Sequence, residues 1–442
     1  MNDKEKLLKE TLNFFINSND FNGIPITNLS SKTKIEYHKT IEILKELVLE
    51  EKITVQSSVN PHIIGIGHYK RDAELRILED AKNNVSKKLE NFNSPINISF
   101  DSHLVCIYPS TSILRKERDL TEFTHKPYSS ELAIAEPHLK PKFFEIEVLE
   151  KYFKDPRFSF EFEDYSGKIS CKYDESEKPL IENEKDQIFL KTFGLGIDSE
   201  KNRVAVVYLR YLSNLTSEHQ IYWKSKEIIN GCKMLKEYHT NTIEGLCTNS
   251  YSVFSAFIEE QKVLNELSKS ISKNGIGIFN KTFENEKRPK EFTFFLLPTL
   301  ENFYNFISLL DKMLSENINY KFFDGEIERF YYENIDENVV ERKNKGSIQL
   351  FDEWLRKNYT ITNEEYYNDI FKPIRKIRRE RQSPAHKIKE NIYDKSLNKK
   401  QMELMSDVHF SIRSLRQIFQ DHKNCKNIKI PDWLENGDIK LF

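Results

Sequence analysis

The hydrophobic residues of the first 68 positions follow two different periods. Apolar positions three or four residues apart predict a first helix over residues 7–16, a short one over Thr27–Ser31 and a longer one over residues 35–48. Two extended apolar runs, Ile53–Gln56 and His62–Ile66, then predict a pair of short strands. The order along this segment is therefore three helices followed by two strands.

Residues 69–290 show a change of pattern. The stretch Lys70–Phe92 is polar and helical, which predicts a helix that links or supports the first segment. Residues 96–290 contain both helical spacing of apolar residues and strand-like apolar runs, so a mixed α/β region that serves as a scaffold or a sensor is expected there. Strands are predicted at Leu104–Tyr108, Phe158–Phe162, Ile169–Tyr173 and Val204–Leu209, and helices at Phe143–Phe153 and Val253–Ser270.

The last third of the chain is dominated by the helical period. A strand-like run at Phe292–Leu297 comes first, and helical spacing then continues to about Asp421. A bundle of four helices is therefore predicted, with helices near Leu300–Leu314, Ile348–Arg356, Glu364–Gln382 and Lys399–Gln420.

Composition limits the classes of protein that fit these patterns. A length of 442 residues predicts two or more domains, and 67 basic against 69 acidic residues argue against a nucleic-acid footprint over the whole chain, although local basic patches remain compatible. The five cysteines are scattered without a CxxC pair, which fits neither a disulfide framework nor a zinc knuckle. No signal peptide and no bilayer-spanning apolar run is recognisable, so a soluble cytoplasmic protein without a membrane partner is expected.

The middle region contains acidic and glycine-containing motifs that invite a catalytic interpretation. The acids of Glu145–Glu147 and Asp155–Arg157 bear comparison with Mg²⁺-dependent nucleases, but a Glu-x-Lys on a strand is not clearly present. Their helical spacing favours a solvated face instead. The segment Phe193–Asp198 has two glycines and lacks the third glycine of a dinucleotide-binding turn, so a turn between two strands is expected. The sequence predicts no metal site and no cofactor.

The strongest candidate chemistry lies in the basic segment Ile374–Lys387. Arg381 is followed by the polar Gln382 and, after four intervening residues, by His386. This pattern resembles the motif of the HEPN superfamily, a helical-bundle family that includes metal-independent ribonucleases of toxin and antiviral systems. Gln382 departs from the Asn, Asp or His that the family usually has at this position.

The resemblance implies a role for each residue of the motif. His386 would be the general acid or base, Arg381 would stabilise charge on the phosphoryl oxygens, and Gln382 would orient one of them. The resemblance also implies a homodimer, in which two protomers combine their motifs. The basic residues that could guide RNA are Arg375, Lys376, Arg378, Arg379 and Lys387.

The Arg-to-His spacing alone is not specific, because four pairs in the chain share it. Ser383 and Pro384 lie between Arg381 and His386, where they predict that one helix ends and another begins. Such a break would let the two side chains converge in one cleft. The other pairs are Arg118/His125, Arg379/His386 and Arg416/His422.

The N-terminal segment resembles a winged helix-turn-helix. Residues Lys39–Ile53 are similar to the recognition helix, acidic end and strand of that family. Winged helices bind DNA or other proteins, and both partners stay open because several glutamates dilute the basic patch. The residues that could face DNA phosphates are Lys32, Lys34, His38 and Lys39.

Together these expectations describe an α+β multidomain protein. Its leading interpretation is an endoribonuclease effector that cleaves RNA by transesterification through the 2′-hydroxyl. The alternatives are a non-catalytic regulator with a dimerising bundle and, as the weakest of the three, a metal-dependent nuclease in the middle region. The expected segments are a winged helix over 1–68, a helical linker over 69–95, a mixed region over 96–290 and a HEPN-like bundle over 291–442.

Overall fold

The chain folds as two compact units of mixed α and β structure. One unit comprises Met1–Phe160 and Ser166–Leu235, and the other comprises Glu161–Tyr165 and Lys236–Phe442. In the described residues no helix combines the length and apolar character needed to cross a bilayer. This computed structural model describes residues 2–83, 105–246, 251–336, 339–382 and 390–440.

The first unit begins with helices packed on a small antiparallel sheet whose strand order is β1-β3-β2. Leucine and isoleucine side chains from all these elements form one buried core. The three predicted N-terminal helices are confirmed, and so is the start of the helix predicted from Lys70. The elements are α1 (Asp3–Asn17), β1 (Ile24–Pro25), α2 (Ile26–Thr33), α3 (Tyr37–Leu49), β2 (Ile53–Ser57), α4 (Arg71–Asn83) and β3 (Val105–Pro109).

The strand predicted at His62–Ile66 is wrong. Those residues form turns and bends, and the strand that pairs with β2 is β3, far along the chain. The backbone N–H of Ile64 donates to Nδ1 of His138 at 3.1 Å, and the carbonyl of Pro61 accepts from the Tyr108 hydroxyl. These backbone groups have side-chain partners, so the segment is held without a strand partner.

The first unit continues with a larger sheet of seven strands and five helices. The strand order is β5-β6-β7-β8-β4-β9, with β10 paired to β7, and residues 161–163 of β5 belong to the second unit. The strands predicted near residues 158, 169 and 204 are confirmed. The sheet elements are β4 (Pro141–Glu145), β5 (Phe158–Glu163), β6 (Ser166–Cys171), β7 (Phe189–Ile197), β8 (Arg203–Tyr208), β9 (Glu227–Ile228) and β10 (Lys233–Met234), and the helices are α5 (Thr111–Glu117), α6 (Pro127–Ala133), α7 (Glu150–Lys154), α8 (Leu209–Ser213) and α9 (Ser217–Ser225).

Two predictions in this unit are corrected by the sheet. The helix expected over Phe143–Phe153 begins instead as strand β4, because Phe144 pairs with Ala205 of β8 and is fully buried. The glycines expected in a turn lie inside strand β7. A Cβ at Gly196 would come within 2.6 Å of the Lys233 carbonyl oxygen, so glycine allows strand β10 to approach closely there.

The second unit is mainly helical, and the predicted long helices are confirmed. Helix α14 has the predicted bounds, and α11 and α15 are slightly longer than predicted. Its elements are α10 (Lys236–His239), β11 (Tyr251–Ser252), α11 (Val253–Ile271), α12 (Leu300–Met313), β12 (Phe330–Asp336), β13 (Val339–Asn344), α13 (Ser347–Asn358), α14 (Glu364–Gln382), α15 (Ser396–Gln420), α16 (Asp432–Asn436) and β14 (Ile439–Lys440).

The strand predicted at Phe292–Leu297 is wrong, and the hairpin of β12 and β13 was not anticipated. The apolar run at 292–297 is buried because it packs among helices. Its backbone finds a partner in a side chain: Gln401 of α15 accepts from the Phe295 N–H at 3.1 Å and donates to the Thr293 carbonyl at 2.9 Å. The side chain of a buried glutamine therefore supplies hydrogen bonds that a neighbouring strand would supply in a sheet.

Candidate functional site

Helix α14 carries the candidate site, and its sequence explains both its position and its exposed charge. Asn363 caps the helix by accepting from the N–H of Tyr366 at 3.0 Å. Acidic residues lie in the first turn and basic residues in the last, as the helix dipole favours. One face is buried through Tyr367, Ile370, Phe371, Pro373, Ile374 and Ile377, which leaves the arginines on the other faces.

Two arginines of α14 converge on one buried carboxylate. Oδ2 of Asp311, in α12, accepts from Arg378 at 2.8 Å and from Arg381 at 2.7 Å. The Asp311 side chain is 0% exposed, whereas those of Arg378 and Arg381 are 42% and 31% exposed. Ser315 also donates its hydroxyl to Asp311. The carboxylate therefore lies behind the guanidinium groups and orients them from the protein interior.

Glu316 is a second carboxylate that accepts hydrogen bonds from the same arginines, but it lies at the surface. It accepts from Arg381 and, at 3.3 Å, from Arg378, and its side chain is 36% exposed. The hydrogen bond from Arg381 holds the pKa of Glu316 below its ordinary value, and the same bond raises the pKa of Arg381. Glu316 is thus ionised at neutral pH and occupies the outer side of the pair.

Arg375 is held in a similar way by Asp352 of α13. Its guanidinium donates to Oδ2 of Asp352 at 2.9 Å, while Oδ1 accepts from the Tyr367 hydroxyl at 2.5 Å. Nε of Arg356 donates to the same Oδ1 at 3.1 Å. Burial, followed by the hydrogen bond to Asp352, raises the pKa of Tyr367, so its hydroxyl keeps its proton. Asp352 therefore restricts the side chain of Arg375.

A cleft of about 570 Å³ opens along this face of α14. Four of its lining residues are cations and one is a carboxylate. The side chain of Arg379 is exposed, and within the described residues it forms no ion pair; Lys372 lies 4.0 Å from Asp369. The cleft is lined by Ile348, Asn368, Asp369, Lys372, Arg375, Arg378 and Arg379. Its chemistry suits an anion.

The structure places only part of the predicted catalytic motif. Arg381 and Gln382 are the last residues of α14, and Gln382 is exposed. His386, Lys387 and the Ser383–Pro384 pair lie outside the described residues. The convergence of His386 and Arg381 thus stays a prediction. The three arginines predicted to guide RNA all line the cleft.

In two of the other pairs with the same spacing, Arg118/His125 and Arg416/His422, the arginine has a structural role. Arg118 lies over three phenylalanine rings and donates to the carbonyl of Ala133. Arg416 is fully buried and donates to both carboxylate oxygens of Glu260. Helix α15 ends at Gln420, the predicted end, so His422 lies beyond the helix that carries Arg416.

The basic residues predicted at the N-terminal segment are partly neutralised. Lys32 pairs with Glu10 at 3.1 Å, and Lys39 pairs with Asp3 at 2.6 Å. Lys34 and His38 are exposed. Glu36 caps the start of helix α3, and its carboxylate accepts from the backbone N–H groups of His38 and Lys39. The surface near the start of α3 therefore carries charges of both signs.

The acidic residues of the middle region have lysine or arginine partners. Glu145 accepts from Lys226 at 2.8 Å, and Asp155 accepts from Arg157 at 2.6 Å. Within the described ranges, no three His, Cys, Asp or Glu side chains are grouped so as to hold a metal ion. These residues are ordinary surface ion pairs.

Sequence reasoning identified the arginines but missed the carboxylates that hold them. Asp311 was detectable, because it interrupts the apolar face of α12 four residues after Ile307 and next to Leu310. A lone acid in that position predicts a buried ion pair. Glu316 gave no comparable signal, because Ser315 and Asn317 flank it along the chain. Asp352 gave none either, because a second acid, Glu353, follows it directly in an amphipathic helix.

Comparison with known proteins gives no relative for this chain: no family model, no curated protein and no solved structure matches it.

Proposed function

We propose that the protein is an endoribonuclease that binds RNA along the basic face of α14 and cleaves it at Arg381 and His386. The observation that carries the proposal is the cleft in which Arg375, Arg378 and Arg379 are lined up directly before Arg381. Guanidinium groups bind phosphate through paired N–H donors, and a bound strand would lead from the cleft to the end of the helix.

The proposed reaction is transesterification within the RNA strand. The 2′-oxygen attacks the adjacent phosphorus, the bond from phosphorus to the 5′-oxygen breaks, and a 2′,3′-cyclic phosphate and a 5′-hydroxyl result. A base takes the proton of the 2′-hydroxyl, and an acid gives one to the leaving 5′-oxygen. His386 would perform one of these transfers, and Arg381 would stabilise the charge on the phosphoryl oxygens. Gln382 would orient one of the two.

The experiment uses the full-length chain with a mixture of structured and single-stranded RNAs in EDTA. Cleavage is expected with the wild type and is expected to fall by about 10²- to 10⁴-fold in His386→Ala, the range for loss of a general acid or base. The matched control is His125→Ala, because His125 is exposed and belongs to a pair with the same spacing. Equal cleavage by both variants would refute the proposed role of His386, and sensitivity to EDTA would refute metal independence.

A non-catalytic regulator is the second candidate, and one observation favours it. Arg381, the proposed phosphate ligand, already has two carboxylate partners in Asp311 and Glu316. An arginine in such a cluster can have a purely structural role. In that case the second unit would dimerise or bind a partner, and neither RNA binding nor cleavage would depend on the cleft residues.

For the N-terminal part we propose a winged helix that binds a protein or DNA. The three helices α1 to α3, packed with an antiparallel sheet of order β1-β3-β2, support this assignment. The ion pairs at Lys32 and Lys39 favour a protein partner over duplex DNA. Duplex binding that is lost in Lys34→Ala and Lys39→Ala would favour DNA instead.

The proposed homodimer and the setting in a toxin or antiviral defence system rest on the HEPN resemblance alone. Sedimentation of the full-length chain at several concentrations tests the dimer. A monomer at every concentration that also cleaves RNA would remove the dimer from the proposal.

A further inference from the structure

The cleft on α14 has a charge distribution that an ordinary solvated helix face lacks. Its walls expose the cations Lys372, Arg375, Arg378 and Arg379 and a single carboxylate, Asp369. The carboxylates that hold Arg375 and Arg378 are not among the residues that line it. An anion inside the cleft therefore meets the cationic side of each pair.

The two held arginines keep donors for a ligand. Arg378 contacts Asp311 through Nη1 alone, and Arg375 contacts Asp352 through Nη2 alone, in the bonds that the structure shows. A guanidinium has five N–H donors, so each arginine can bind an anion without losing its carboxylate. Because the carboxylates restrict the side chains in advance, less conformational entropy is lost on binding.

The cleft also offers more than charge. About 570 Å³ lies within the usual range for small-molecule sites, and it exceeds the space that one phosphate group needs. Ile348 provides an apolar surface, and the amide of Asn368 provides donors and an acceptor. Guanidinium planes also stack on nucleobases. The lining thus combines groups for a phosphate with groups for a flat heterocycle.

We propose that this cleft is a binding site for a nucleotide unit, with its phosphate at the cations and its base toward Ile348 and Asn368. The unit can belong to an RNA strand or to a free mononucleotide, since both present the same chemistry. The assignment to a strand rests on the proposed ribonuclease function, whereas nucleotide binding itself does not.

The first measurement is the affinity of the full-length chain for adenosine 5′-monophosphate, inorganic phosphate and adenosine, by isothermal titration calorimetry. The monophosphate is expected to bind at least about tenfold more tightly than phosphate or adenosine, because only it occupies both parts of the cleft. Equal affinities for the monophosphate and for phosphate would overturn the base-binding part. No binding of the monophosphate would overturn the whole proposal.

The second measurement compares two double variants with the same change of net charge. Lys372→Ala with Arg379→Ala removes two cleft cations, while Lys399→Ala with Lys400→Ala removes two exposed lysines of α15 in the same unit. The cleft variant is expected to lose about tenfold or more in affinity for the monophosphate, and the control less than about twofold. Equal losses would show a nonspecific charge effect and overturn the site.

The two sources of the nucleotide are separated by competition. If the cleft binds a unit of the strand, the monophosphate displaces a labelled single-stranded RNA, and the cleft variant weakens RNA binding. If the cleft binds a free mononucleotide, neither the added monophosphate nor the cleft variant changes RNA binding. Each result supports nucleotide binding and identifies its source. A failure of the ribonuclease proposal is seen separately, as cleavage that does not depend on His386.

Discussion

Helices α3 and α14 are both amphipathic, and both expose basic side chains, but their counter-charges lie in different places. The carboxylates that pair with the lysines of α3 are exposed: Asp3 accepts from Lys39, and Glu42 accepts from Lys45. Glu46 of α3 is also exposed and accepts from Lys4 of α1. On α14 the principal partners, Asp311 and Asp352, lie mostly inside the protein. A ligand approaching α3 meets charges of both signs in similar number, whereas a ligand in the α14 cleft meets four cations and one carboxylate. The position of the carboxylates, more than the number of lysines and arginines, distinguishes a neutral surface from an anion site.

The largest expected effect is on stability: removing a carboxylate that holds the α14 arginines should destabilise the protein more than removing one on α3. Asp311→Asn is expected to lower the free energy of unfolding by about 2 kcal/mol, because a buried acceptor of two arginines and a serine is lost. Glu46→Gln is expected to lower it by less than about 0.5 kcal/mol, since this ion pair is exposed. Urea unfolding of both variants measures the difference. Equal losses would contradict the distinction between a buried and an exposed counter-charge.

Acid should weaken the first unit through one buried histidine, which does not belong to the α14 arginine cluster. Burial lowers the pKa of His138 to about 4, and Nδ1 accepts from the Ile64 N–H, so the neutral ring is required. The unfolded chain takes up a proton as the pH falls through about 6.5, and the folded chain does so only near 4. The stabilisation is therefore complete above pH 6.5 and is lost between 6.5 and 4.

From pH 7 to 5 this histidine is expected to account for a loss of about 1 to 2 kcal/mol in the free energy of unfolding. The comparison variant is His138→Gln, whose amide can accept from the Ile64 N–H and donate to the Asp20 carbonyl, as the ring does, without titrating. Its unfolding should depend less on pH than that of the wild type, as followed by urea unfolding at several pH values. An unchanged pH dependence would mean that His138 is not the titrating group.

RNA affinity should distinguish the same two helices. Arg375→Ala is expected to weaken the binding of single-stranded RNA by about tenfold at moderate salt, because it removes a cationic hydrogen-bond donor to phosphate from the cleft. Lys34→Ala on the N-terminal surface removes the same charge and is expected to change affinity by less than about twofold. Fluorescence anisotropy at two salt concentrations measures both. A larger loss in Lys34→Ala would place RNA at the N-terminal surface instead.

The smallest expected effect is a gain in RNA affinity. Glu316 lies on the exposed side of Arg381, where the phosphate of the proposed cleavage site would bind, and it also contacts Arg378. Glu316→Gln should raise RNA affinity by about threefold, since it removes a competing negative charge. Glu46→Gln on α3 is the matched control and should leave affinity unchanged. A loss of affinity in Glu316→Gln would show that this carboxylate helps to position the arginines rather than competing with RNA.

The sequence by itself determined the elements whose pattern is local. Helices α11 to α15 were predicted because apolar residues recur along one face over several turns, and α14 matched at both ends. The concentration of arginine in α14 was also visible, since it needs no knowledge of neighbours. Helical periodicity depends on residues three and four apart, and such spacings are read directly from the chain.

The tertiary structure alone decided which distant residues meet. Strand β2 pairs with β3 rather than with the nearby residues 62–66, and Gln401 completes the backbone hydrogen bonds of 292–297. Asp311 reaches Arg378 and Arg381 across about 70 positions of sequence. Short apolar runs do not specify their partners, because burial rewards any close packing and a side chain can satisfy a backbone group as well as a strand can. The cleft exists because helix packing placed two carboxylates behind the arginines, and no local pattern encodes that placement.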